Sequence, residues 1–160
     1  MTQSNDKASR TPEDVRKHLD FIQAVVTRMS AASSGAKGWL LPVVTAAYGY
    51  AITKPVAQVA LLGVLAVVLF AFLDANYLRQ EQAYRGLYDA VASGERDVPL
   101  FSLDVTKATD PKPAPTTWYA KTWGWIRRWV PEWRVWLSWS IAPFYGTLTV
   151  VGMFLFFKLP

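Results

Sequence analysis

A carboxylate at the end of an apolar run is the group best placed to do chemistry in this chain. Asp74 follows Val56–Leu73, a stretch that is apolar except for Gln58. An ionisable group beside a membrane helix can relay a proton, pair with a cation or hydrogen-bond to a neighbouring helix. At the inner boundary of the apolar run, where water keeps a carboxylate cheap, interface capping or bonding to a neighbour is the expected role for Asp74. Gln58 lies a turn from the outer surface, where an amide joins helix to helix more readily than it selects ions. His18 is the only histidine and there is no cysteine. A metal site therefore lacks its second ligand, and His18 reads as an ordinary polar helix position. The sequence holds no Ser/His/Asp set, phosphate-cradling glycine loop or zinc spacing. A non-enzymatic protein without a cofactor is expected.

The elements that must position Asp74 and Gln58 follow from how apolar residues are distributed. Hydrophobic residues make up 52% of the chain and aromatics 14%, gathered into blocks rather than spread at a core-forming period. From Gly38 to Thr53 there is no charge, with Trp39 at one end and Lys54-Pro55 at the other. As a helix this segment rises about 24 Å, short of a hydrocarbon core of roughly 30 Å. Lys37 and Lys54 can snorkel to the two surfaces and cover the difference. The second block, about 56–73, follows at once and requires a tight antiparallel hairpin. Val135–Phe157 is uncharged over 23 residues and supplies a third span, with Pro143 and Gly146 as kink points. The first 35 or so residues are of mixed charge where a cleavable signal would carry an apolar core.

Two amphipathic helices flank the hairpin. Residues 1–10 read as a disordered tail, and Thr11-Pro12-Glu13-Asp14 supplies a cap, a proline at the first helical position and acids in the first turn. A helix is expected from there to about Ser33, where Ser33-Ser34-Gly35 breaks the pattern. Its apolar residues Val15, Leu19, Ile22, Val26 and Met29 step by four and three, a heptad seam. Beyond Asp74, the residues Tyr77, Tyr84, Leu87, Tyr88 and Val91 continue a stripe to about Ala92, with Glu81/Arg85 and Arg85/Asp89 spaced to pair on the wet side. The economical arrangement packs Leu19, Ile22, Val26 and Met29 against Tyr77, Tyr84, Leu87 and Val91. The Pro-rich residues 94–117 read as a linker lacking a core of its own.

Seven of the eight tryptophans fall between Trp118 and Trp139. Trp118, Trp123, Trp125, Trp129 and Trp133 alternate with Arg127, Arg128 and Arg134, a composition suited to the headgroup layer of anionic lipid. An interfacial helix is expected over about 118–130, ended by Pro131. Of the 17 Lys and Arg, six lie in residues 1–37 and nine between Arg79 and Arg134, leaving Lys54 and Lys158. The positive-inside rule then places the N-terminus and the 74–134 region in the cytoplasm and the C-terminus outside the inner membrane. The net charge of +5 belongs mostly to this topology. Nine basic groups of the inner region are offset by eight acids, so nucleic acid is a poor partner.

The run HLDFIQAVVTRMSAASSGAKGW, a hairpin, and FLDANYLRQEQAYRGLYDAV together cover roughly residues 17–92, from His18 to Val91. This layout resembles small bacterial membrane proteins with the order helix, KGW, two spans, LDAxYLxQE, helix. It is similar to the SLATT type of two-span proteins, and the resemblance implies a membrane-acting effector of a nucleotide-linked defence system. It implies no catalytic residues and leaves out the Trp-rich tail and third span. The expected fold is an all-α integral membrane protein: a transmembrane hairpin plus a C-terminal span, with two cytoplasmic amphipathic helices. A single three-span protomer is too thin to enclose a pore, so an effector would be a homo-oligomer. The alternative is an accessory or scaffold subunit that reads anionic lipid and docks a cytoplasmic partner.

Overall fold

The computed structural model describes residues 11–109 and 133–159. These are helices joined by irregular backbone, with no strand among the described residues. Helix α1 spans Pro12–Thr53 and helix α2 spans Ala57–Ser93. A short 3₁₀ helix follows at Val105–Ala108. Helix α3 is a single turn, Trp133–Trp136, and helix α4 spans Ala142–Lys158.

The start of α1 follows its cap residues. The Asp14 amide donates to Thr11 Oγ1 at 3.1 Å and the Thr11 hydroxyl returns a bond to Asp14 Oδ2 at 2.7 Å. One first-turn amide that has no carbonyl partner inside the helix is thereby satisfied, and the capping hydroxyl is itself held in place. The expected break at Ser33-Ser34-Gly35 does not occur: α1 continues for 42 residues. Glycine weakens a helix by about 1 kcal/mol and serine by less, and tertiary partners at Ser33 and Lys37, described below, override that preference. Pro42 consequently sits well inside α1, where it offers no N–H to the carbonyl of Gly38. Residues 54–56 turn the chain, with Lys54 and Val56 amides bonded back to Tyr50 and Ala51 carbonyls. Helix α2 then runs 37 residues without interruption through Asp74. Gly94, at φ +68°, ends it in the left-handed conformation that glycine adopts without strain.

Among the described residues, α2 is the one helix long and apolar enough to cross a membrane. Helix α4 is apolar but has 17 residues, because 137–141 form turns where a continuous span was expected from 135. The 38–53 segment is the apolar end of the longer α1 rather than a helix of its own.

The described residues fall into two compact units, drawn from Met1–Ser30 with Gln80–Pro115 and from Ala31–Arg79 with Thr116–Pro160. Helices α1 and α2 each contribute to both. In the first unit Ile22, Leu87 and Val98 are buried together, with Val26, Tyr84, Tyr88, Val91, Val105 and Ala108 packed around them. Complete burial of Ile22 and Leu87 contributes about 1.5–3 kcal/mol each. Of the expected seam, Ile22 and Val26 meet Tyr84, Leu87 and Val91; Leu19, Met29 and Tyr77 are half-buried outside this cluster. Residues 94–109 do not behave as a coreless linker, since Val98 is buried and Val105 and Ala108 close over it. Residues 110–117 lie outside the described residues.

In the second unit, α1, α2 and α4 pack about Leu40, Val44, Tyr48, Val64, Val67, Ala71 and Tyr145, joined by Val135 and Ile141. Tyr48 is central. A Cβ on Gly63 of α2 or on Gly152 of α4 would meet its side chain. Both helices come close to α1 only because those two positions have no side chain.

Candidate functional site

Asp74 is buried in the second unit, at 1% exposure, where hydration at a boundary was expected. The apolar face of α2 that packs through Val64, Val67, Ala71 and Ala75 carries Asp74 inward with it, and α1 supplies the groups that receive it. The Ser33 hydroxyl donates to Asp74 Oδ1. Lys37, one helical turn later, places Nζ 3.0 Å from Asp74 Oδ2, an ion pair rather than an aligned hydrogen bond. The same ammonium donates to the Ser140 hydroxyl at 2.7 Å, in the turn that leads into α4. Tyr145 of α4 brings a buried hydroxyl close to the carboxylate without reaching hydrogen-bond geometry. Asp74 thus binds two positions of α1, and Lys37 extends the network to the segment preceding α4.

A buried carboxylate is costly unless it is paired and hydrogen-bonded. Here one oxygen accepts from a hydroxyl and the other faces an ammonium whose side chain retains 22% exposure. The arrangement holds one charge of each sign and no group of three His, Cys, Asp or Glu among the described residues. Chemically it can fix helices in register or break into two unpaired charges. The sequence singles out Asp74, makes Ser33 part of a helix break and Lys37 a snorkelling residue, and leaves Ser140 and Tyr145 unmarked within the expected third span. Their convergence depends on sequence separations of 41 and 103 residues.

Gln58 is exposed, and no hydrogen bond joins it to another helix among the described residues. His18 departs from an ordinary polar position: it is 1% exposed and its Nε2 lies 2.9 Å from the Ser102 carbonyl oxygen. That carbonyl requires Nε2 to carry the proton. The neighbouring Phe101 has φ +61°, a strained backbone for a bulky residue. Its ring lies against His18 and against Phe21, with centroids 6.1 and 5.9 Å apart. The imidazole therefore ties 98–104 to α1 and helps hold that strained residue.

Glu81 and Arg85 pair as their spacing predicts, at 2.6 Å, and Arg85 takes Glu81 rather than Asp89. A shallow open groove of about 270 Å³ lies at the end of α2 between Asp89, Ser93, Glu95, Arg96 and Ala108. Trp118, Trp123, Trp125, Arg127, Arg128 and Trp129 lie outside the described residues. Trp133 and Arg134 open α3, and the description there extends to the backbone alone. No family model matches the chain, and neither a curated protein nor a solved structure is similar to it.

Proposed function

We propose that this chain is a multi-pass inner-membrane protein that self-associates in the bilayer and acts there as a membrane-perturbing or pore-forming effector. The observation that carries this reading is the outward surface of the second unit. Leu41, Val43, Tyr50 and Ile52 on α1, Leu61, Leu62, Leu65, Val68 and Leu69 on α2, and Val150, Val151, Phe154 and Phe157 on α4 are all exposed. A helical bundle that is apolar both inside and outside needs hydrocarbon or further copies of itself around it.

On this reading the three crossings are about residues 38–53, 57–73 and 142–158. Their ends agree with one another. Lys37, Asp74 and Ser140 meet at one end of the apolar segments, flanked by Trp39 and Trp139, which are 74% and 91% exposed. Lys54 and Lys158 stand at the opposite ends of α1 and α4. Interfacial tryptophans and snorkelling lysines allow 16- to 17-residue segments to serve a bilayer longer than they are. The basic residues then orient the N-terminus and the region after α2 toward the cytoplasm. The resemblance to SLATT-type proteins agrees with an effector, and the Trp/Arg run at 118–134 suits an anionic lipid surface.

A second reading, a non-conducting accessory subunit, is favoured by the hydroxyls of α4. Thr147 and Thr149 donate to the carbonyls of Pro143 and Tyr145 on their own helix, at 2.7 and 2.8 Å. Hydroxyls engaged this way face lipid without demanding a water-filled path. Two measurements test these readings. Alkaline phosphatase fused after residue 160 is expected to be active and after residue 100 inactive; an inactive fusion at 160 removes the third crossing. A potential-sensitive dye in cells induced to express the protein is expected to report depolarisation, and an unchanged potential at full membrane expression leaves the accessory reading.

A further inference from the structure

Two independent features of α1 meet at the same place. Between Ser33 and Pro42 the helix is at its weakest: Gly35 and Gly38 both lie in it, and Pro42 leaves the Gly38 carbonyl without its helical donor. Nothing lies within 4 Å of a Cβ built on Gly35 or Gly38, so close packing is not what requires glycine there. The same stretch carries Ser33 and Lys37, the two residues that hold the buried Asp74. An ion pair of this kind adds little net stability over an apolar packing of the same volume, whereas losing one partner leaves the other charge stranded. Such a pair is suited to specifying one arrangement of a helix that has an alternative.

We propose that Ser33, Lys37, Asp74 and Ser140 form a latch that holds a glycine hinge in α1 straight, and that opening this hinge switches the membrane activity. The inference of a hinge rests on the geometry alone; its regulatory meaning rests on the effector reading given above. With the latch closed, α1 is fixed to α2 through Asp74 and to the turn before α4 through Ser140. With it open, Ser33 and Lys37 lose the partners that hold this stretch while Leu40 keeps its place in the core, and the weak helix bends at Gly35 and Gly38.

Hydrogen exchange of the full chain in lipid nanodiscs tests this. Asp74→Asn keeps the shape of the side chain and removes its charge. Lys37→Gln removes the other charge and leaves the buried carboxylate unpaired, whereas Asp74→Asn strands only an ammonium that reaches solvent and is the variant that keeps folding safe. Each is expected to raise exchange of amides 35–41 by about tenfold or more, the effect of losing one charge-assisted hydrogen bond, while amides of α4 change little. Adding Gly35→Ala and Gly38→Ala to Asp74→Asn is expected to restore slow exchange, because each methyl enters open space and favours helix. Wild-type exchange over 35–41 in either single variant overturns the latch, as does a rise of equal size throughout α4. Depolarisation in cells separates the two proposals. The single variants are expected to depolarise more than the wild type, and the alanine pair less. If no variant differs from the wild type while the exchange pattern holds, the switch is overturned and the hinge stands; if none depolarises at all, the effector reading falls.

Discussion

Tyr48 of α1 donates its hydroxyl to the carbonyl oxygen of Leu148 in α4, 3.0 Å away. The side chain reaches that far because Gly63 and Gly152 leave room for it, one on each neighbouring helix. A single residue therefore sets the spacing of three helices.

The Gly152 position gives the sharpest test of that packing. A valine there would overlap the Tyr48 hydroxyl and a methyl of Val64, and overpacking of this kind costs about 1–3 kcal/mol. Gly152→Val is expected to lower the melting temperature of the detergent-purified protein by several degrees, on the order of the shift such a loss produces in a chain of this size. Gly146 has nothing within 4 Å of its added Cβ, so Gly146→Val is expected to stay near the wild type. Equal melting temperatures for the two variants would mean that Tyr48 swings aside without loss.

His18 predicts a local rather than a global effect. His18→Ala removes the bond to the Ser102 carbonyl and a buried ring, a loss of about 1–3 kcal/mol for the hydrogen bond alone. The segment 98–109 is expected to open, and trypsin to cut after the exposed Lys107 faster than in the wild type. Cleavage at the wild-type rate would show that Val98 alone secures the segment.

Asp104 makes the same segment sensitive to acid. Its carboxylate accepts from the Thr106 hydroxyl at 2.7 Å and from the Thr106 amide at 3.0 Å, and these bonds hold it below the ordinary aspartate range. A carboxyl depressed in the folded state stabilises above its unfolded pKa and ceases to do so as pH falls through the folded one. The 3₁₀ turn at Val105–Ala108 is expected to keep its amide protection down to the ordinary aspartate range and lose it below. Asp104→Ala should show weaker protection at neutral pH and no such acid transition; an acid transition of the same size in that variant would assign it to another group.

Periodicity made Ile22, Leu87 and the amphipathic ends of α1 and α2 legible in the sequence, because burial on one helical face leaves a pattern every three or four residues. It could not reveal Val98. A lone valine between Asp97 and Pro99 has no period, and its burial depends on α1 and α2 having already formed a surface for it. The unbroken α1 escapes the sequence for a related reason: Ser33-Ser34-Gly35 is a genuine local weakness, overruled by a carboxylate 41 residues away. His18 looked polar and solvated because its partner is a main-chain carbonyl, which no residue type announces. The start of α4 is not legible either, because uncharged residues 137–141 carry no signal distinguishing turn from span.

The bond between Tyr48 and Leu148 joins residues 100 positions apart, and that separation bears on how the chain is made. Translation proceeds from the N-terminus, so α1 and α2 leave the ribosome well before α4 exists. They can fold onto each other early, through a connection of three residues. Until Leu148 emerges, the Tyr48 hydroxyl has no acceptor from α4. Closure of the bundle around Tyr48 is thus a late event of biogenesis, and a chain stalled before residue 148 would leave the α1–α2 hairpin open on the side that α4 covers.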